Sequence, residues 1–188
     1  RTKETADLFL ALIIRLLKDG GRCAVVLPDG TLFGEGVKTR IKEELMERCN
    51  LHTIVRLPNG VFNPYTGIKT NVLFFEKGTQ TKDVWYFEHP YPDGVNSYNK
   101  GKPIHIKEFD LEKAWWTDRD NEKYSRHAWK VSAEDIKARA YNIDIKNPHQ
   151  EIDDLASPEE LLEKFNAAEK QISHIQAEII KVLSDALK

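Results

Sequence analysis

The chain has 188 residues, 40% hydrophobic and 31% charged, with 28 Lys+Arg against 30 Asp+Glu. That supports one ordinary core with an appendage, and an aromatic share of 10% argues against disorder. Two cysteines exclude a disulfide framework and a structural zinc site, a formal charge of −2 excludes an autonomous polyanion binder, and no apolar run reaches a membrane span. A reducing, cytoplasmic setting is therefore expected. The only methionine is Met46 and the chain opens at Arg1, so a piece of a longer polypeptide is expected.

Between Asp7 and Leu17 the apolar residues leave only a thin polar edge, which predicts a nearly fully buried helix ended by Lys18-Asp19-Gly20-Gly21. Arg22 to Leu27 is a short β-branched run stopped by Pro28-Asp29-Gly30. Without alternation it reads as a strand buried on both faces. Val37 to Cys49 reads as an amphipathic helix with Val37, Ile41, Leu45 and Met46 on one side, and Leu51 to Leu57 as a second buried strand. Strand, helix, strand predicts a βαβ unit and an α/β domain with a parallel sheet.

Thr70 to Glu76 is another strand, joined to the second by a loop too short for a crossover helix, so the two are predicted to be antiparallel neighbours. Val84 to Glu88 adds a further strand. Residues 89–107 read as a long surface loop, Phe109 to Trp116 as a short helix, and Ser132 to Arg139 as another capped by Ser132. Tyr141 to Pro148 reads as extended.

The tail carries the cleanest periodicity. Ser157-Pro158-Glu159-Glu160 is a helix start, followed by Leu161, Phe165, Ala168, Ile172, Ile175, Ile179, Val182 and Ala186 at alternating spacings of four and three. This is a two-per-seven seam that wants another helix. The organisation expected is a core over 1–88, a loop-rich extension over 89–156, and a coiled-coil-type helix over 157–188.

Catalytic motifs are scarce. No nucleophile elbow, phosphate loop or zinc-protease pattern occurs, and the six histidines lack ligand spacing. No metal site is expected. His52 and Cys23 fall in apolar strands, where packing explains them. Trp115, Trp116 and Trp129 with Arg119 and Arg126 read as a satellite core or subunit contact before a nucleic-acid surface. The loop from Asn59 to Lys69 is different: it sets Phe62 and Tyr65 among turn residues at the end of a parallel sheet, where ligands bind. Phe62 either stacks on a planar ring or plugs the core. Lys69, Thr70 and Asn71 could add polar contacts, although Asn71 could equally satisfy strand backbone.

The ordered segments GGRCAVVLPDGTLF, LHTIVRLPNGVFNPYTGIKTNVLFFEKG, the Trp115-Trp116 pair and YNIDIKNP resemble the modification subunit of type I restriction–modification systems over nearly the whole chain. The resemblance implies adenine-N6 DNA methylation with S-adenosylmethionine and a Rossmann-like methyltransferase sheet whose last two strands form the antiparallel hairpin. It implies that Phe62, after Gly60-Val61, stacks on the target base; Tyr65, Lys69, Thr70 and Asn71 stay candidates for base or DNA contact from the loop's own residues. The family's glycine motif and its Asn-Pro-Pro-Phe/Tyr tetrapeptide are both missing here. Asn63-Pro64-Tyr65 has one proline and the wrong strand order. The chain is therefore expected to hold no catalytic residue, to bind no cofactor and to be inactive alone.

The partners implied are DNA, a specificity subunit against the seam Leu161, Phe165, Ala168, Ile172, Ile175, Ile179 and Val182, and a restriction subunit in the full complex. In isolation the seam could drive self-association. Two alternatives fit the same residues: a non-catalytic assembly module docking the specificity subunit, or part of a fused restriction–modification polypeptide.

Overall fold

A computed structural model describes residues 4–149 and 158–186. The chain divides into two compact units, Arg1–Gln150 and Glu151–Lys188. The first carries helix α1 (Thr5–Leu16), strand β1 (Arg22–Pro28), the short helix α2 (Asp29–Phe33), α3 (Val37–Arg48) and β2 (Cys49–Arg56). After these come β3 (Thr70–Lys77), β4 (Asp83–Glu88), α4 (Asp110–Trp116), β5 (Ala128–Ser132) and α5 (Ala133–Ala138). In the second unit α6 runs over Pro158–Ala186.

The five strands form one mixed sheet in the order β1-β3-β2-β4-β5. β3 is antiparallel to both β1 and β2, β4 is parallel to β2, and β5 is antiparallel to β4. β1, α3 and β2 form the expected βαβ unit with its strands pointing the same way, but the two are not neighbours, and the parallel sheet expected from it is corrected to a mixed one. The hairpin strand β3 slots between them, pairing Val72 with Val26 on one side and with Val55 on the other. A strand with both edges paired explains why Leu73 and Phe75 are fully buried.

Two further expectations are corrected. β1 is an edge strand with alternating burial, not a strand covered on both faces. In α1 only Asp7, Leu10 and Ile14 are buried, while Leu8, Phe9, Leu12 and Leu16 lie exposed. The apolar content of both elements exceeds the surface available to cover it. The 89–156 segment, expected to be a loop-rich extension, contributes β5 to the sheet.

One face of the sheet holds the larger core, where Leu10 and Ile14 of α1 and Ile41, Leu45 and Met46 of α3 meet Leu51, Ile54, Leu73 and Phe75. The other face holds a smaller core built from Val55, Phe87, Trp115, Tyr124 and Ala128. Lys42 is buried in α3, and its ammonium donates to the carbonyls of Leu32 (2.7 Å) and Gly34 (2.8 Å), closing the end of α2. Burial, with Lys38 nearby, pushes its pKa down to about 8. α5 starts as the sequence indicates, with the Ser132 hydroxyl accepting from the Asp135 amide.

The extended 141–148 segment ties strand ends together. Tyr86 donates to the Ile143 carbonyl (3.1 Å), Arg56 bonds Asp144 (2.5 Å), and Asn147 donates to Glu88 (3.1 Å) and to the Arg126 carbonyl (2.8 Å). No helix among the described residues is long and apolar enough to cross a membrane.

Candidate functional site

The loop between β2 and β3 leaves the sheet at the carboxyl ends of β1 and β2, where open α/β sheets hold ligands. Its base is closed by backbone pairing: the Leu57 amide donates to Thr70 (3.0 Å) and the Asp29 amide to Lys69 (3.0 Å). Asn71 donates from its side chain to Asp29 Oδ1 at 2.5 Å and is almost completely buried. That bond joins β3 to the first residue after β1, so the structure uses Asn71 as a tie and leaves it little surface. The sequence reading treated Pro28-Asp29-Gly30 only as a turn and missed the partner, which lies 42 positions away.

Within the loop the amides of Tyr65 (2.9 Å) and Thr66 (3.1 Å) both donate to the Phe62 carbonyl, and the Asn63 amide donates to Gly60 (3.0 Å). Phe62 therefore sits on backbone held from two directions. A second brace comes from the 89–105 loop: the Asn63 side chain donates to the Tyr98 carbonyl (3.1 Å) and Tyr91 to the Asn59 carbonyl (3.0 Å). Gly60 has φ +81°, and a Cβ there would lie 2.6 Å from the Tyr98 carbonyl oxygen. Only glycine fits that contact. Tyr98 is itself buried and its hydroxyl donates to Glu108. Burial and that bond hold the phenol above its ordinary range. Tyr91 and Tyr98 were read only as part of a surface loop, and nothing local in the sequence marks them as supports.

On this frame Phe62 is 39% exposed and Tyr65 is 90% exposed, and Lys69 also faces outward. Thr70 and Asn71 are turned inward, so the five residues do not form one contact surface; they split into an exposed set and a buried set. The exposed set offers two aromatic faces and an ammonium. It can stack on a flat ring and attract an anion, and it has no paired acid and base with which to do proton chemistry.

Trp115 and Trp129 are buried, each in a different core, while Trp116 is partly exposed. Arg119 lies over the rings of Trp115 (5.0 Å) and Trp116 (4.4 Å) and donates to Thr53 Oγ1 (2.9 Å), while Trp129 stacks on Tyr86 with centroids 5.3 Å apart. His52 packs edge-on to Trp116, and burial beside Arg119 lowers its pKa. The Cys23 and Cys49 thiols are both pushed up by burial, as packing residues are. Among the described residues no group of three or more His, Cys, Asp or Glu could hold a metal ion. On α6, Phe165, Ala168, Ile172, Ile175 and Ile179 are exposed. Ser157 and the side chains of Leu161, Val182 and Ala186 lie outside the described residues.

Comparison with known proteins gives this geometry a context. Residues 1–155 match the family model described as N-6 DNA Methylase. The type I restriction enzyme EcoEI methylase subunit of Escherichia coli is 57% identical over 191 residues, covering 100% of this chain and 39% of that protein. The EcoKI methylase subunit of Escherichia coli K12 is 43% identical over 114 residues, covering 54% of this chain and 21% of that protein. Among solved structures, one addressing complex assembly and conformational transition of the type I R-M system contains a chain with TM-score 0.76 and 36% identity. That match covers 98% of this chain and 40% of the other. The EcoKI M protein gives TM-score 0.63 and 32% identity, covering 76% of this chain and 37% of the other. The chain thus spans about two fifths of the length of the EcoEI relative. On the family match and these likenesses, the chain belongs to the N-6 DNA methylase family, among the modification subunits of type I restriction enzymes.

Proposed function

We propose that this chain is the C-terminal part of a modification subunit whose complete form methylates the N6 amine of adenine in DNA with S-adenosylmethionine. The observation that carries the site assignment is the doubly braced loop presenting Phe62 at the carboxyl end of the sheet. A base turned out of the duplex needs a rigid aromatic surface to replace its lost stacking, worth roughly 1–3 kcal/mol per base. Phe62 meets that requirement: its carbonyl is pinned by two amides, and its ring is partly exposed. Tyr65 and Lys69 are placed to meet flanking nucleotide. Thr70 and Asn71 act as the loop's foundation.

The chain's own residues do not fit the cofactor. Gly30, Gly34 and Gly36 follow β1 without the spacing of a cofactor-binding glycine motif, and the carboxylate there, Asp29, is already engaged by Asn71. On this reading the chain is inactive by itself, and no cofactor step is assigned to it. The Rossmann-like reading draws support from an antiparallel strand inserted between two strands of common direction. The outer edge of β1, unpaired among the described residues, supports a sheet that continues in the complete protein.

In the complete enzyme, Phe62→Ala is expected to weaken binding of DNA carrying 2-aminopurine at the target position by about tenfold or more, within the stacking range, without loss of fold. Unchanged affinity would remove Phe62 from the base site. The exposed apolar stripe on α6 is assigned to the specificity subunit, with the restriction subunit joining the full complex. Ile172→Asp combined with Ile179→Asp is expected to abolish co-purification of the specificity subunit. Intact assembly would refute that contact.

A further inference from the structure

The loop over 89–105 leaves the carboxyl end of β4. β4 is parallel to β2, with Glu88 beside Arg56, so this loop and the Phe62 loop rise from the same end of the sheet. Residues 57–69 and 89–107 together carry four lysines, Lys69, Lys100, Lys102 and Lys107, against one acid, Asp93. The whole chain has the opposite balance, a formal charge of −2, so positive charge is concentrated here.

Two of these lysines stand on a rigid support. Asn99 and Lys102 exchange backbone hydrogen bonds (3.1 and 3.0 Å), and Asn99 Oδ1 accepts from the amides of Gly101 (2.9 Å) and Lys102 (3.1 Å). This turn directly follows Tyr98, whose carbonyl holds the Asn63 side chain beside Phe62. Four residues of chain span at most about 14 Å, so the turn stays close to Phe62 on the scale of one duplex turn, about 34 Å.

Lys100 and Lys102 are exposed, and neither side chain enters an ion pair or hydrogen bond among the described residues. Carboxylates at this end of the sheet are engaged elsewhere: Asp144 by Arg56, Glu88 by Asn147, Glu108 by Tyr98 and Asp29 by Asn71. Asp93 and Glu35 lie exposed, and neither pairs with these lysines. Between Asn96 and Pro103 no large apolar side chain is exposed. A protein interface centres on apolar and aromatic side chains, whereas a surface for nucleic acid is polar and positively charged.

We infer that Lys100 and Lys102 bind backbone phosphates of the DNA on either side of the base that stacks on Phe62, an assignment that rests on the methyltransferase reading. Phosphate contacts fix register without reading sequence, so this turn sets how the duplex lies over the Phe62 loop.

The test measures DNA affinity of the complete enzyme across a salt series, with a duplex that it methylates and one of equal composition that it does not. Lys100→Gln combined with Lys102→Gln is expected to weaken both by the same factor. The slope of log affinity against log salt is expected to fall by about 1.8, or 0.9 per phosphate lost. Lys100→Arg with Lys102→Arg is expected to keep the slope. Lys18→Gln with Lys82→Gln, which removes the same charge at the opposite end of the sheet, is expected to leave it unchanged. With methyl transfer by the unaltered enzyme intact, an unchanged slope, or an equal fall in the Lys18 and Lys82 variant, overturns the phosphate assignment alone. Loss of another subunit on co-purification, with the slope unchanged, gives the turn to a protein partner and overturns it too. If the unaltered enzyme transfers no methyl group to DNA, the methyltransferase reading itself fails and the phosphate assignment falls with it.

Discussion

At its β5 end the sheet finishes on five residues with Lys130 exposed in their middle, its ammonium 5.4 Å from the Trp85 ring centroid, and with Trp129 stacked flat on Tyr86. α5 follows directly and buries Ala133 and Ile136 in the larger core. At its other end the sheet finishes on β1, where Cys23 to Leu27 carry no charge, Ala24 and Val26 lie exposed, and the adjacent α1 turns Leu8, Phe9, Leu12 and Leu16 outward. Natural sheets blunt a true edge with charge, brevity or a cover. The first end uses brevity and charge. The second uses none along the strand's interior. The difference separates an edge built to face water from an edge and helix face built to be covered.

The contrast can be broken most directly at the finished end. Trp115 is fully buried, with Phe87 at 4.9 Å and Trp85 at 5.9 Å between ring centroids. Trp115→Ala is expected to cost about 3–5 kcal/mol in urea unfolding, the usual range for emptying an aromatic core site. A loss below about 1 kcal/mol would mean that this face is as loosely packed as the bare one.

The loop between the two ends gives an intermediate effect. Gly60→Ala must adopt φ +81° and force its Cβ against the Tyr98 carbonyl, whereas Gly94→Ala, at φ +75°, meets nothing within 4 Å. Left-handed strain alone costs about 1–2 kcal/mol, and the contact at Gly60 adds to it. The Gly60 variant is therefore expected to lose more stability than the Gly94 variant, and to shift the amide resonances of Ser97 and Tyr98. Equal losses would show that the 89–105 loop does not brace the site.

How much of this was legible in the sequence depended on how local the cause was. The β1, β2 and β3 runs, the α4 segment and the Ser132 cap rest on neighbouring residues, and all were readable. β5 escaped because five residues with a lysine at their centre carry too little pattern. Strand order escaped because nothing within β3 says that it pairs on both sides. At the site, Phe62 could be singled out from its loop composition. The Asp29–Asn71 tie and the Tyr98 brace join segments far apart in the chain, so no local signal pointed to them. α1 shows the opposite error: its composition told what could be buried, and burial also requires something to cover it.

The smallest expected effect is the most informative about that last point. Ile14 and Leu16 are two residues apart on α1, yet Ile14 is fully buried and Leu16 is 73% exposed. In this chain Ile14→Ala is expected to cost about 2–5 kcal/mol, by loss of transfer energy plus the cavity left behind. Leu16→Ser removes little buried surface, so its effect is expected to stay within about 0.5 kcal/mol. The two positions lie two residues apart on the same helix, one turned into the core and one turned out. If Leu16→Ser also lowers concentration-dependent association of the chain, measured by sedimentation, the exposed apolar face is a surface seeking cover. If Leu16→Ser destabilises the chain as much as Ile14→Ala, that face is already packed, and the contrast between the two ends of the sheet fails.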